Sequence, residues 1–380
     1  MSHTKKLKVI VLYGGKSGEH EVSLRSAASV FHRLDRNRFE VLPVWMDKRG
    51  GWHEIDAMRI ESTAEALPAD LKAPRVVLLP QGEDAIVPGL VRLDAYRQGS
   101  TAAFTQVDAV FPVVHGTFCE DGTLQGLLEL ADVPYVGCGV LASSVGMDKD
   151  FTKRILHQAG VPVVPWICVK QSDWPHKLQL IAETIERDLG FPVFVKPANS
   201  GSSVGVHKVK GLMDLSAALV DAFSYDPKVL VEKAVAAREI ELSVLENSDP
   251  SKLPRVSVPG EIVPNHEFYS YEAKYLDQQG AQLQIPAQLD PSQMERAQAL
   301  AQTIFHVIEC EGMARVDLFL DRVSGDFYLN EINTLPGFTS ISMYPKLWEK
   351  SGLGYSDLLS SLVDLAMARH KRKAKLKRDL

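Results

Sequence analysis

Residues 8–140 alternate short apolar runs with stretches of helical spacing, and this alternation restricts the chain more than any other feature. "KVIVLY", "RFEVLPVWM", "AVFPVVH" and "VPYVG" are the apolar runs; "EVSLRSAASVFHRL" and "TLQGLLELA" carry the helical spacing between them. The pattern predicts βαβ units around a parallel sheet, in the α/β class. A helix follows in "MDKDFTKRILHQAG", ended by Gly160 and then Pro162. Next come "VPVVPWICV" and "FPVFVKPA", a helix near 213–224 and the strand "KVLVEKAV". From about 237 the pattern turns to long strands, "REIELSVLE" and the hairpin "MARVDLFLDRVSGDFYLNEIN", with α+β character. A polar, tyrosine-rich stretch between Pro259 and Pro286 reads as a long loop, of the kind that forms lids. The expected division is 1–140, 141–236 and 237–368, followed by a basic, disordered tail at 369–380. Residues 47–106 are poorly patterned.

At 380 residues the chain can bury two or three cores. No apolar run approaches the roughly 20 residues that span a bilayer, and "MSHTKKLKVI" lacks the apolar core and cleavage site of a signal peptide. The four cysteines show no CxxC spacing, so neither a zinc site nor a disulfide framework is indicated and a reducing cytoplasm is expected. The net charge of −6 conceals an asymmetry: residues 367–380 carry seven Lys/Arg and one acid, leaving the body at about −12. An acidic body disfavours nucleic acid as a partner.

"LYGGKSGEHEVSL" poses a choice. A Walker loop needs a glycine, four intervening residues and then Gly15-Lys16-Ser17, which puts the first glycine at position 10, where the chain has Ile10. What survives is a strand, a Gly-Gly turn and a helix opening, with Glu19, His20 and Glu21 at the mouth. Ligands of open sheets collect at such turns, and acids suit a cationic group; helix N-termini also favour acids with no ligand at all.

The hairpin carries the strongest chemistry. Alternation places Arg315 and Asp317 on one face and Glu331 and Asn333 on one face. A turn at "RVSGD" that sets Asp317 opposite Glu331 brings Arg315 opposite Asn333. Two carboxylates, an amide oxygen and a cation then share one patch, a donor set for Mg²⁺. In "VKPANSGSSVGV", Lys196 ends a strand before a loop rich in hydroxyls and N–H donors that can cover a polyphosphate, and Lys153 adds a second cation. "VLVEKAVAAREIEL" places Glu232 at a strand edge able to read an adenine, with Glu239 in reach of a ribose; taken alone, the segment reads better as an ordinary charged strand edge.

In this order the pieces resemble the ATP-grasp fold with an N-terminal, pre-ATP-grasp sheet domain. Through "GGKSGEHEVSL", "HGTFCEDGTLQG", "KPANSGSSVGV", "YEAKY" and "NEINTLPGFTSISMYP" the chain is similar to D-alanine–D-alanine ligases over nearly its whole length, the tail and residues 47–106 excepted. The resemblance implies ATP-dependent joining of two D-alanines for peptidoglycan synthesis through an acyl phosphate. It implies that Glu19 binds the first amino acid beside His115, and that Glu19, Ser202 and Tyr275 form a hydrogen-bonded link. Lys153 and Lys196 would hold phosphates, and Lys274 would approach the γ-phosphate from the lid at 259–286. Ser202, Ser203, Glu232, Lys233, Val235, Glu239, Asn330 and Glu331 complete the nucleotide contacts. Two Mg²⁺ ions, with Mn²⁺ as a substitute, fall to Asp317, Glu331 and Asn333. Arg315 and the Gly337 N–H would stabilise the oxyanion, and Ser342 with the Met343 N–H would take the second carboxylate. Tyr275 in "EAKY" favours D-alanine over D-lactate or D-serine at the second position, whereas Ala234 departs from the aromatic residue many relatives carry. A homodimer is expected. An ATP-binding module without catalysis would be expected to lose one of Arg315, Asp317, Glu331 or Asn333, and a carbamoyl- or carboxyl-transferring ATP-grasp enzyme would lack Glu19, Tyr275 and Ser342.

Overall fold

A computed structural model describes residues 5–80, 88–100, 103–174, 176–264 and 281–377. Tyr275 and Lys274, and with them the tip of the expected lid, lie outside the described residues. The described residues build three sheets. The first is parallel only at one end, where the strand Leu7–Gly14 pairs with Phe39–Met46 on one side and with the edge strand Ala109–Val114 on the other. Its middle residues Val9 to Tyr13 are fully buried, as expected for a strand covered on both faces. The helix His20–Arg33 packs along it.

Residues 8–140 are not a wholly parallel sheet. Trp52–Glu54, Arg75–Leu79, Gly89–Arg92 and Phe104–Gln106 extend it as an antiparallel meander. These strands are short, and their buried residues fall in no alternation: Trp52 and His53 are buried side by side, Arg75–Leu79 buries only Val76, and Phe104–Gln106 buries none, which leaves too little periodicity to read. "VPYVG" supplies only an isolated parallel bridge, Tyr135 to Val110.

The second sheet is antiparallel, in the order His207–Val209, Val193–Pro197, Lys228–Lys233, Trp166–Lys170. The third runs Ala281–Gln284, Gly260–Pro264, Ala237–Leu245, Met313–Asp321, Phe327–Asn333, with the helix Pro291–Val307 packed on its apolar face.

The expectation of a disordered end at 369–380 needs correction. The last helix, Tyr355–Lys373, runs through the start of that segment. Arg369 is 4% exposed and donates to Gly137 O at 2.5 Å and Tyr135 O at 2.7 Å. His370 bonds Asp132 and Lys373 bonds Glu129. Basic composition describes a solvated tail only while no acceptors face it; here backbone carbonyls and acids of the N-terminal unit do.

Candidate active site

The first loop is set by its glycines. Gly14 and Gly15 hold φ of +92° and +105°, and a Cβ on Gly14 would lie 2.3 Å from Met46 O, so the turn demands glycine. Glu19 stands immediately before the helix His20–Arg33, at its electropositive end. Its carboxylate accepts a hydrogen bond from Ser202 Oγ, in the loop that follows Lys196. Ser202 and Ser203 both sit in left-handed backbone, at φ of +52° and +60°, a conformation kept where a loop is over-determined. Two members of the expected three-residue link are therefore joined.

His115 is buried near the same place. Its Nε2 lies 3.2 Å from Ser26 Oγ and its Nδ1 3.6 Å from Glu120 Oε1. Burial works against the imidazolium, yet Glu120 outweighs it and raises the pKa above the ordinary value.

The hairpin register is the expected one: Arg315 opposes Asn333 and Asp317 opposes Glu331. A bulge follows, since Leu318 pairs with Leu329 and two residues, Asn330 and Glu331, separate the core-facing Leu329 and Ile332. Bulges re-aim side chains in this way. Arg315 Nε and Nη2 fork onto Asp317 at 2.7 and 2.6 Å, and Glu241 Oε2 lies 3.2 Å from Nε. Burial opposes the Arg315 charge, but the two acids raise its pKa well above the usual value. Glu331 Oε2 lies 3.8 Å from Lys149 Nζ, which donates to Ser200 O at 2.7 Å. Asn333 Oδ1 accepts from Leu335 N at 2.9 Å. Among the described residues no three His, Cys, Asp or Glu side chains are gathered for a metal. The donor set of Asp317, Glu331 and Asn333 is two carboxylates and an amide oxygen on adjacent strands, with cations already drawn to both acids, which fits a hard divalent ion.

The phosphate-type lysines converge as well. Helix Lys149–Gln158 is capped by Asp148 and carries Lys149 and Lys153 one turn apart, on one face. Lys153 Nζ lies 3.1 Å from Glu232 Oε1, and Lys196 Nζ lies 2.7 Å from Glu232 Oε2. Burial lowers the Lys153 pKa to about 8 against the pull of Glu232. Burial opposes the Glu232 charge too, but the two lysines overcome it and hold its pKa down. The Glu232 side chain is thus the lysines' counter-charge. Lys233 ends the strand Lys228–Lys233, Val235 lies in the connection to the next strand, and Glu239 shares a face of that strand with Glu241.

Ser342 precedes the helix Met343–Lys350, and its hydroxyl is held by Thr339 N at 3.0 Å and Thr339 Oγ1 at 2.8 Å. A Cβ on Gly337 would stand 3.0 Å from Ser342 Oγ and 4.0 Å from His115 Cε1. One cleft gathers Glu19, His115 and Ser202 with Arg315, Glu331 and Asn333, and with Gly337, Ser342 and Met343. Asp317, Lys153, Lys196, Glu232, Lys233, Val235, Glu239, Ser203 and Asn330 do not line it. Sequence reading missed Lys149, Glu120 and Glu241, which do. The four-residue spacing of Lys149 and Lys153 and the two-residue spacing of Glu239 and Glu241 carried that signal.

Three sheets, a nucleotide-type lysine pair and an oxygen-rich hairpin beside an acidic first loop define the ATP-grasp class of ligating enzymes. Solved structures agree: a D-alanine–D-alanine ligase from Coxiella burnetii has a TM-score of 0.80 at 35% identity, covering 98% of this chain and 97% of that one. A D-Ala:D-Ser ligase from Enterococcus faecalis has a TM-score of 0.80 at 34% identity, covering 95% of this chain and 100% of that one. The family descriptions "D-ala D-ala ligase N-terminus" and "D-ala D-ala ligase C-terminus" match residues 8–138 and 155–364. D-alanine–D-alanine ligase A of Bradyrhizobium diazoefficiens is 54% identical, covering 98% of each chain. The chain belongs to the D-alanine–D-alanine ligase family.

Proposed function

We propose that this chain joins two D-alanine molecules at the cleft between Glu19 and Ser342, by way of an acyl phosphate. ATP-dependent ligation of D-alanine for the cell-wall precursor, with a divalent metal, is the activity of its family. A free carboxylate has no good leaving group. The first D-alanine carboxylate attacks the γ-phosphorus, ADP leaves, and the acyl phosphate forms. The second D-alanine's amine attacks the acyl carbon; phosphate leaves and the amine loses a proton, giving the dipeptide.

The protein's part is positioning and charge neutralisation. Glu19 receives the first ammonium, with His115 beside it. Lys153 and Lys196 exchange Glu232 for phosphate oxygens, with Lys149 at the transferring group. Mg²⁺, two ions with Mn²⁺ as a substitute, would be held by Asp317, Glu331 and Asn333 and would supply charge neutralisation at the transferring phosphoryl group. Arg315 and the Gly337 N–H face the oxyanion, and Ser342 with the opening N–H groups of its helix takes the second carboxylate. We assign nucleotide binding to 141–236 and 237–368 and the first amino acid to 1–140. We also assign a homodimer contact to the N-terminal unit, where Leu127 and Leu130 are exposed. No described helix is long and apolar enough to cross a membrane, and the four cysteines are free, which supports a cytoplasmic placement.

The observation that carries this reading is the meeting of an acid, a guanidinium and a helix N-terminus in one cleft. The test measures ADP release that depends on both Mg²⁺ and D-alanine, then product from D-alanine against D-lactate and D-serine across pH. Expected is D-alanyl-D-alanine throughout; a preference for D-lactate or D-serine near neutral pH overturns the second-subsite assignment.

A further inference from the structure

His20 is buried behind the first loop at 3% exposure and takes no part in the chemistry above. Its Nδ1 lies 2.7 Å from Gly15 O, and the Trp45 indole N–H donates to its Nε2 at 3.2 Å. Both partners have a single possible role: a carbonyl oxygen only accepts and an indole N–H only donates. Together they require one form of the ring, neutral, with the proton on Nδ1. Either the other tautomer or the imidazolium sets two N–H groups against each other at Trp45.

Trp45 is itself fixed. A Cβ on Gly14 would lie 2.8 Å from its Cδ1, so the glycine turn rests on the indole. On its other side the His53 ring lies 5.2 Å away, and His53 bonds Asp47 Oδ2 at 3.2 Å and Ala73 O at 3.1 Å. Asp47 in turn accepts from the backbone N–H groups of Arg49 and Gly51. A chain of contacts thus runs from the meander at 47–54, through Trp45 and His20, to the carbonyl of Gly15. The loop it reaches carries Glu19 and is also held by Gly15 N, which donates to Met46 O at 2.9 Å, and by Ser17, whose hydroxyl accepts from Glu19 N and donates to His115 O.

We propose that His20, locked by Trp45 as the neutral Nδ1–H tautomer, is a positioning residue that fixes the loop from Gly15 to Glu19 and thereby the carboxylate that receives the first D-alanine. The proposal rests on the reading of Glu19 given above, and it assigns Trp45 and the Asp47–His53 segment a task in substrate binding.

The test has three parts. Nitrogen-15 NMR of the histidine rings in the full chain reports the tautomer, which is Nδ1–H with a bare Nε2 in the wild type; Nε2–H in the wild type overturns the proposal. Trp45→Phe keeps the packing and removes the donor, so a mixed tautomer is expected. Steady-state kinetics then separate position from folding. His20→Asn keeps a donor near Nδ1 and stays within about threefold of wild type, while His20→Gln raises the D-alanine KM about tenfold, one hydrogen bond's worth, with the ATP KM unchanged. Equal behaviour of the Asn and Gln variants, or a D-alanine KM that moves in step with the ATP KM and the melting temperature, overturns it. Glu19→Gln is the control: if it leaves the D-alanine KM unchanged, the Glu19 assignment fails, whereas a Glu19 effect without a His20 effect removes this inference alone.

Discussion

Glu232→Gln removes the carboxylate that stands between Lys153 and Lys196, and the structure sets the size and pH dependence of the loss. Lys153 titrates near 8, not at its ordinary 10.5, because burial works against its charge more than Glu232 supports it. At about 1.4 kcal/mol per unit, keeping Lys153 charged inside the fold costs about 3–4 kcal/mol below pH 8. The folded pKa lies below the unfolded one, so the unfolded chain binds more protons between pH 8 and 10.5, and that cost fades as pH rises through this window. In the variant the Lys196 charge acts on Lys153 without its counter-charge. Breaking a buried pair costs about 3–5 kcal/mol. At roughly 2 °C per kcal/mol for a large chain, the variant melts about 6–10 °C below wild type at pH 7. By pH 9 Lys153 is mostly neutral in the wild type too, so the difference shrinks to about half. Scanning calorimetry of both proteins at the two pH values is the assay. A difference under about 2 °C at pH 7, or the same difference at both pH values, refutes the counter-charge role.

Arg315→Lys keeps a positive charge and loses the fork on Asp317, so kcat falls by a factor of about 10² or more while the ATP KM changes little; rapid-quench turnover checks this, and a loss under threefold contradicts the oxyanion role. Arg369→Ala frees two buried carbonyls, at Gly137 and Tyr135, and lowers stability by about 3 kcal/mol in a thermal melt, whereas ending the chain after Lys373 changes little; an Arg369→Ala variant that melts like wild type removes the anchoring role of the last helix.

How much of this was legible depends on whether a residue's partner is set by local pattern. The pairing of Arg315 with Asn333 and of Asp317 with Glu331 was legible because period-two alternation and one tight turn determine it. The bulge that turns Asn330 and Glu331 away from the core was not, since no glycine or proline marks it. The pairing of Glu232 with two lysines from a helix and a neighbouring strand depends on how two elements meet, and sequence spacing carries no trace of it. Strands between 52 and 106 escaped because they are short and their buried residues follow no alternation. Arg369 escaped because its acceptors are backbone carbonyls, which every sequence has and none displays.

The pairs that remain visible have a common logic. Asp317 holds Arg315, Lys149 lies against Glu331, Ser202 holds Glu19, and Glu232 holds Lys153 and Lys196. Each of these charged groups is at least half-buried and already paired, so in the proposed reaction ligands would exchange with existing partners, and few charges would have to be stripped of water when they bind. Arg315 shows why this assists catalysis. A guanidinium has five N–H donors, and the fork on Asp317 engages Nε and Nη2, leaving three. The fork therefore fixes the plane of the group, and in the proposed reaction the remaining donors would meet the developing charge without reorganising, the condition under which such donors contribute most.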